Sequence, residues 1–148
     1  MHEEFMRAAL SEAKIAKEVG EVPVGAVIVH DGKIIAGAHN EREAQLDPTA
    51  HAEVLAIRRA AKKLGRRRLS GCTLYVTLEP CPMCAGAIVM SEIDGVYYGA
   101  ADVQAGCAGS VYALTEDPAF AKKIPSTGFL LEKPCKEMID EFFEERRA

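Results

Sequence analysis

The sequence predicts an α/β protein in three layers, with helices covering both faces of a mixed or parallel sheet. Strand-like runs alternate with stretches of helical periodicity along the chain. The run from Cys72 to Leu78, Cys-Thr-Leu-Tyr-Val-Thr-Leu, is almost wholly apolar or β-branched, as suits a strand covered on both sides. With 148 residues, 49% of them hydrophobic, the chain can bury a sizeable core as one domain over residues 1–148.

From about His2 to Val19, apolar residues at Phe5, Met6, Ala9, Leu10, Ala13, Ile15, Ala16 and Val19 follow helical spacing, and Gly20 supplies a stop. A strand from Ala26 to His30 is joined to a return strand from Lys33 to about Asn40. Asp31-Gly32 is a strong two-residue hairpin turn. Glu41 to Thr49 is polar and predicts a loop, with Thr49 as the cap of a helix from Ala52 to Leu64 that stops at Gly65. After the strand at residues 72–78, Pro82 opens a helix to about Met90. Gly95 to Ala100 predicts a strand, Ala101 to Ser110 a glycine-containing loop, and Val111 to Lys123 short helical turns around Pro118. A short strand from Thr127 to Glu132 then leads to a helix from Pro134 to Arg147, with Met138, Ile139, Phe142 and Phe143 as its apolar face. No repeat, linker or low-complexity segment is present.

Composition narrows the function. A net charge of −4 and a pI near 5.6 do not describe a general nucleic-acid binder. Locally, seven of the eleven residues from Arg58 to Arg68 are Lys or Arg, either a phosphate-holding patch or a solvated helix face. No apolar run approaches the ~20 residues that cross a bilayer. The charged start, Met-His-Glu-Glu, predicts no secretory signal, so a cytoplasmic protein is expected. Five cysteines, an odd count, argue against a disulfide framework. Cys72, Cys107 and Cys135 are expected as small buried hydrophobes.

Cys81 and Cys84 are different. His51-Ala52-Glu53 and Pro80-Cys81-Pro82-Met83-Cys84 together give H-x-E … P-C-x-x-C, with the His and the first Cys thirty positions apart. One imidazole and two thiolates suit Zn²⁺, and three protein ligands leave a fourth position for water, as in a catalytic site. One Zn²⁺ per subunit is expected, held by His51, Cys81 and Cys84. Two residues apart on a helix is ~200° of rotation, so His51 and Glu53 could not share a face deep within one. At its first turn both can reach a site beyond the tip. Cys81 and Cys84, three apart at another helix start, face the same way, and the positive helix end favours thiolates there. Zinc would turn the water into hydroxide near neutral pH. Glu53 would carry its proton to a substrate ring nitrogen, and ammonia would leave. The alternative is a non-catalytic zinc or RNA-binding protein: a closed knuckle with Cys107, Cys72 or His39 as fourth ligand.

The H-x-E … P-C-x-x-C pattern is the signature of zinc nucleobase deaminases. The likeness extends to Glu-Val-Pro-Val-Gly-Ala at residues 21–26, His39-Asn40, Asp-Pro-Thr-Ala-His-Ala-Glu at 47–53 and Thr73–Gly86. It continues at Tyr98–Asp102, Gly106–Ser110 and Phe142-Phe143 before the terminal arginines. Over nearly its whole length the chain resembles the bacterial tRNA-specific adenosine deaminases. The resemblance implies a cytidine deaminase-like fold, a five-stranded mixed sheet between helices, in a homodimer. It implies conversion of adenosine to inosine at the wobble position of a tRNA anticodon, typically an arginine tRNA, after the base flips from its loop into the zinc pocket. Asn40, Ala52 and Asp102 would contact the substrate, and Phe143 and Arg147 would line the RNA path, with Phe142 in the core. The chain departs from the family pattern at Phe120-Ala121-Lys122-Lys123, where an Asn-His pair is usual, and at Gln104, where Lys is common. Lys122 and Lys123 could still neutralise phosphates. These departures leave a second substrate reading open: a free base or nucleoside, such as guanine or cytosine, on the same scaffold.

Overall fold

The computed structural model describes residues 1–147, apart from the side chain of Arg147. The expected RNA contact at that side chain therefore lies outside the described residues. The chain runs α1 (His2–Glu18), β1 (Gly25–His30), β2 (Lys33–His39), α2 (Arg42–Gln45), α3 (Ala52–Leu64), β3 (Cys72–Leu78), α4 (Pro82–Ser91), β4 (Gly95–Ala100), a 3-10 turn (Leu114–Glu116), β5 (Ser126–Thr127) and α5 (Glu132–Arg147). The strands form one sheet in the order β2-β1-β3-β4-β5. β1 is antiparallel to β2 and β3, and β4 is parallel to β3 and β5. This is the five-stranded mixed sheet of a cytidine deaminase-like α/β fold.

Alternation along β1 builds two cores. Ala26 and Ile28 pack with Leu74 and Val76 of β3 against Leu55, Ala56 and Ala60 of α3 and Ile88 of α4. Val27 and Val29 face the other way, onto Phe5, Met6 and Ala9 of α1, with Tyr75, Ala100 and Cys135. Each face of the sheet thus has its own apolar layer, and neither could stay exposed. The hairpin turn has positive φ at both Asp31 (51°) and Gly32 (75°), the mirror-image geometry that matches strand twist.

α1 lies unusually close to the sheet. A Cβ on Gly25 would sit 2.0 Å from the carbonyl oxygen of Ala9 and 2.4 Å from the nitrogen of Ala13, both backbone atoms of α1. Gly25→Ala must therefore push the helix off β1. It is expected to cost about 3 kcal/mol, the upper end for overpacking, and to lower Tm by roughly 10 °C. Thermal unfolding monitored by circular dichroism checks this; a Tm within about 2 °C of the parent would contradict the packing.

Several local expectations are corrected. Ile15 (45% exposed) and Val19 (65%) lie off the buried face of α1, which is made by Phe5, Met6, Ala9, Ala13 and Ala16. The predicted loop at 41–49 contains the short α2. Thr49 does not cap α3: its N–H and hydroxyl both donate to Asp47 Oδ1, at 2.8 and 2.7 Å. His51 is the N-cap instead. The strand expected from Thr127 to Glu132 ends at Thr127, because Phe129 (φ 68°) and Leu131 (φ 51°) are left-handed and break the extended run. On α5, Cys135 and Phe142 are buried, whereas Phe143 is 43% exposed and turned out of the core.

Candidate metal centre and active site

Pairing places the ends of β2, β3 and β4 at one edge of the sheet. His39 pairs with Gly25, Ala26 with Val76, and Leu78 with Ala100. Asn40, Glu79 and Ala101 follow those three strands directly, so they emerge at the same end of the sheet, with the start of β1 between Asn40 and Glu79. In open α/β sheets, ligands bind beyond the carboxyl ends of strands.

Two helices begin at this edge. His51 is the extended N-cap of α3, and Cys81 is the extended N-cap of α4, with Pro82 pre-set for the first turn. Cys84, wholly buried, lies one turn into α4. His51 Nδ1 is 3.7 Å from Cys81 Sγ and 3.5 Å from Cys84 Sγ. With Zn–S near 2.3 Å and Zn–N near 2.0 Å, a tetrahedral edge between the two donor types is about 3.6 Å. The three donors, all within 4.8 Å of one another, therefore already stand at zinc-ligand spacing, and the group can hold a metal ion. No fourth His, Cys, Asp or Glu joins them among the described residues. Cys72 begins β3 at the far end of that strand, and His39 Nδ1 is paired with Glu12 Oε1 at 2.9 Å. The closed-knuckle alternative thus lacks its fourth ligand.

The thiols behave as a pair. A hydrogen bond from Cys84 draws Cys81 down to about 4, while that bond and burial push Cys84 far up. A metal bound here would require both sulfurs as thiolates, so binding would release protons. The hydrogen bond to Cys81 raises His51. Glu53, in the first turn of α3, is 4% exposed. Burial pushes its carboxyl up to about 7, against the pull of its own backbone N–H and of His51. A dication held by the triad would oppose that rise. A carboxyl near neutrality can both take and return a proton.

His51, Glu53 and Cys81 line a cavity of about 520 Å³, together with Asn40 and residues 100–104. Asn40 is 5% exposed, and its Oδ1 accepts the Ala52 N–H at 2.8 Å. That bond caps α3 and leaves the Asn40 amide group facing the cavity. Ala52, expected at the substrate, enters the site through this bond. Asp102 lines the cavity, and its Oδ1 accepts the N–H groups of Gln104 and Ala105, both at 3.1 Å. Phe143 lines the cavity from α5. Lys122 and Lys123 do not: Lys122 Nζ donates to the Glu92 carbonyl (2.6 Å) and to Asp94 (3.1 Å), and Lys123 is exposed. Within the basic run, Arg59 is bonded to Gly37 and Glu41, and Arg66 and Arg68 to nearby loop groups and Glu92.

Arg42, Glu79, Lys136 and Asp140 also line the cavity, and the sequence reading did not reach them. Arg42 lies in a polar stretch that predicts a loop, and Lys136 and Asp140 are solvent-type residues on a terminal helix. Glu79 gave one signal, a carboxylate closing an apolar strand immediately before Pro80-Cys81.

Comparison with known proteins shows the family. The family described as MafB19-like deaminase matches residues 1–147. The chain is 50% identical over 143 residues to the tRNA-specific adenosine deaminase of Bacillus subtilis, covering 97% of this chain and 89% of that one. A structure from studies of A-to-I editing by tRNA:A34 deaminases at the wobble position of transfer RNA superposes with a TM-score of 0.88. It is 44% identical and the match covers 91% of this chain and 98% of that one. A guanine deaminase from Bacillus subtilis superposes with a TM-score of 0.67 at 39% identity, covering 100% of this chain and 95% of that one. With a relative half identical over nearly its whole length and a His-Cys-Cys group that could hold a metal ion, this chain belongs to the tRNA-specific adenosine deaminases.

Proposed function

We propose that this protein deaminates adenosine to inosine at the wobble position of a tRNA anticodon, an arginine tRNA first among candidates. One Zn²⁺ per subunit would be held by His51 Nδ1 and the Cys81 and Cys84 thiolates. The observation that carries the reading is the buried Glu53 carboxyl beside a three-donor triad on a solvent-reached cavity. The relatives support the RNA substrate. So does the mouth of the cavity, where Val103 is 81% and Phe143 43% exposed and Arg42 is an exposed cation, while Lys136 is paired with Asp140 at 2.7 Å. An open, partly cationic rim suits a base delivered on a phosphate chain.

A zinc ion held by His51, Cys81 and Cys84 would supply a water acidified enough to attack at neutral pH. Glu53 accepts a proton from that water and delivers it to the purine N1, which makes C6 electrophilic. As the water oxygen bonds to C6, Glu53 would take that oxygen's remaining proton and pass it to the amino group, so that the C6–N bond breaks, ammonia leaves and C6 keeps its oxygen as a carbonyl. Asn40 orients the base from its position over the α3 tip, and the wall at residues 100–104 holds it. Lys122, Lys123 and Arg147 remain candidates for phosphate contacts outside the cavity. A cytoplasmic homodimer completes the proposal; no helix among the described residues is long and apolar enough to cross a membrane.

A second reading, a free-base deaminase, is favoured by the 39% identity to a guanine deaminase. Ammonia release from a panel separates the two: an arginine anticodon stem-loop, single-stranded DNA, guanine, adenosine and cytidine. The stem-loop is expected to be the best substrate, with kcat/KM falling about tenfold or more between 50 and 200 mM salt as phosphate contacts are screened. Turnover of guanine or cytidine beside an inert stem-loop would overturn the RNA reading.

A further inference from the structure

Glu79 is 2% exposed, directly precedes Pro80-Cys81, and has no part in the chemistry above. Its carboxylate collects four hydrogen bonds, two on each oxygen. Oε1 accepts the Asp102 N–H at 3.0 Å and the Ser110 hydroxyl. Oε2 accepts the Ala108 N–H at 3.0 Å and the Ser110 N–H at 2.9 Å. All four donors belong to the loop between β4 and the 3-10 turn, and all are neutral. Gly106 completes the seat, since a Cβ there would lie 2.4 Å from the Glu79 carboxyl carbon. Residues 101–104 of the same loop form a wall of the cavity.

We infer that Glu79 is a positioning residue for the deamination, fixing the wall that grips the target base while leaving the metal triad untouched. The inference rests on the function proposed above. With both oxygens occupied twice, the carboxylate has no free acceptor site and is not a second proton carrier. What it does is tie the residues that follow β4 to the strand end that delivers Cys81, so wall and metal keep a fixed spacing. The arrangement needs an anion. Glutamine accepts through one oxygen only, and its amide hydrogens would confront at least one backbone N–H donor. The loop would keep other attachments, such as the Cys107 N–H to the Pro80 carbonyl at 2.8 Å, so the change is a loosening and not an unfolding.

The test is Glu79→Gln and, separately, Ser110→Ala, which deletes only the hydroxyl donor. Zinc content, kcat and KM on the stem-loop, and amide hydrogen exchange across residues 102–110 are measured against the parent. A misplacement of about 1 Å typically costs about 10²-fold. Glu79→Gln is therefore expected to lose about 10- to 100-fold in kcat/KM, mainly through KM because the wall does not touch the reacting atoms. Zinc stays at the parent's level and exchange at Asp102, Ala108 and Ser110 speeds up. Ser110→Ala moves the same readouts less far. Kinetics within twofold of the parent, unchanged exchange, or loss of zinc in Glu79→Gln overturns the inference. If that variant does not fold, an unchanged KM and exchange rate in Ser110→Ala overturns it. If the parent ignores the stem-loop, the RNA reading fails on its own. The same comparison is then made on whichever panel substrate the parent turns over.

Discussion

Replacing Glu53 with glutamine is expected to leave the metal in place and remove about 10³-fold or more of kcat, within the range that a positioned acid–base group contributes. Glutamine keeps the size of the side chain in a position only 4% exposed, so the fold has little reason to change. It cannot accept the proton of an attacking water or return one to the leaving nitrogen. Glu53 is outside the group of three donors that lie within 4.8 Å of one another, so metal content should stay at one per chain. Zinc analysis alongside single-turnover kinetics on the stem-loop checks both halves. A variant that released its zinc would show Glu53 to be a ligand and would remove its role as proton carrier. Glu53→Ala should behave alike in activity, with some additional loss of stability from the space it leaves.

The second large effect belongs to Cys84. Its sulfur is wholly buried at the start of α4 and 3.5 Å from His51 Nδ1, so no solvent ligand can easily substitute for it. Cys84→Ser is expected to lose both metal and detectable turnover. It should also uncouple folding from zinc. A ligand that binds only the native state stabilises it by about 4 kcal/mol at a thousand times Kd, or roughly 10–15 °C in Tm for a chain of this size. A chelator should therefore lower the parent's Tm and leave that of Cys84→Ser unchanged. A variant that kept stoichiometric zinc, or a parent whose Tm ignored the chelator, would contradict the assignment of the triad.

The triad was legible in the sequence because each half is local. Two residues of spacing at one helix start and three at another fix which side chains reach past a helix tip, whatever lies elsewhere. The hairpin at Asp31-Gly32 and the helix stop at Gly65 were legible for a similar reason: a left-handed backbone points to specific residue types. What could not be read depends on partners far along the chain. Thr49 had the chemistry of a cap, but Asp47 takes its donors, and Asn40 reaches across twelve residues to supply the cap to Ala52. The run after Thr127 had strand composition, yet Phe129 and Leu131 turn it away into α5. Phe143 followed the apolar spacing of α5 but faces the cavity mouth. Glu79 resembled a strand-ending acid and is the anchor of a loop twenty-three to thirty-one residues later. Of the residues expected to contact substrate or RNA, Asn40, Asp102 and Phe143 gather at the cavity, and Lys122 does not, being held by Glu92 and Asp94.

β3 and β4 run parallel and finish level with one another, Leu78 beside Ala100. One strand hands on the two sulfurs of the His-Cys-Cys group and its neighbour hands on a wall of the cavity. Three of the four bonds between them engage main-chain N–H groups, so the side chains of Val103 and Gln104 play no part in the attachment. Retargeting this scaffold to a different nucleobase would then be a matter of rewriting that fringe one residue at a time, with the inorganic chemistry carried along intact.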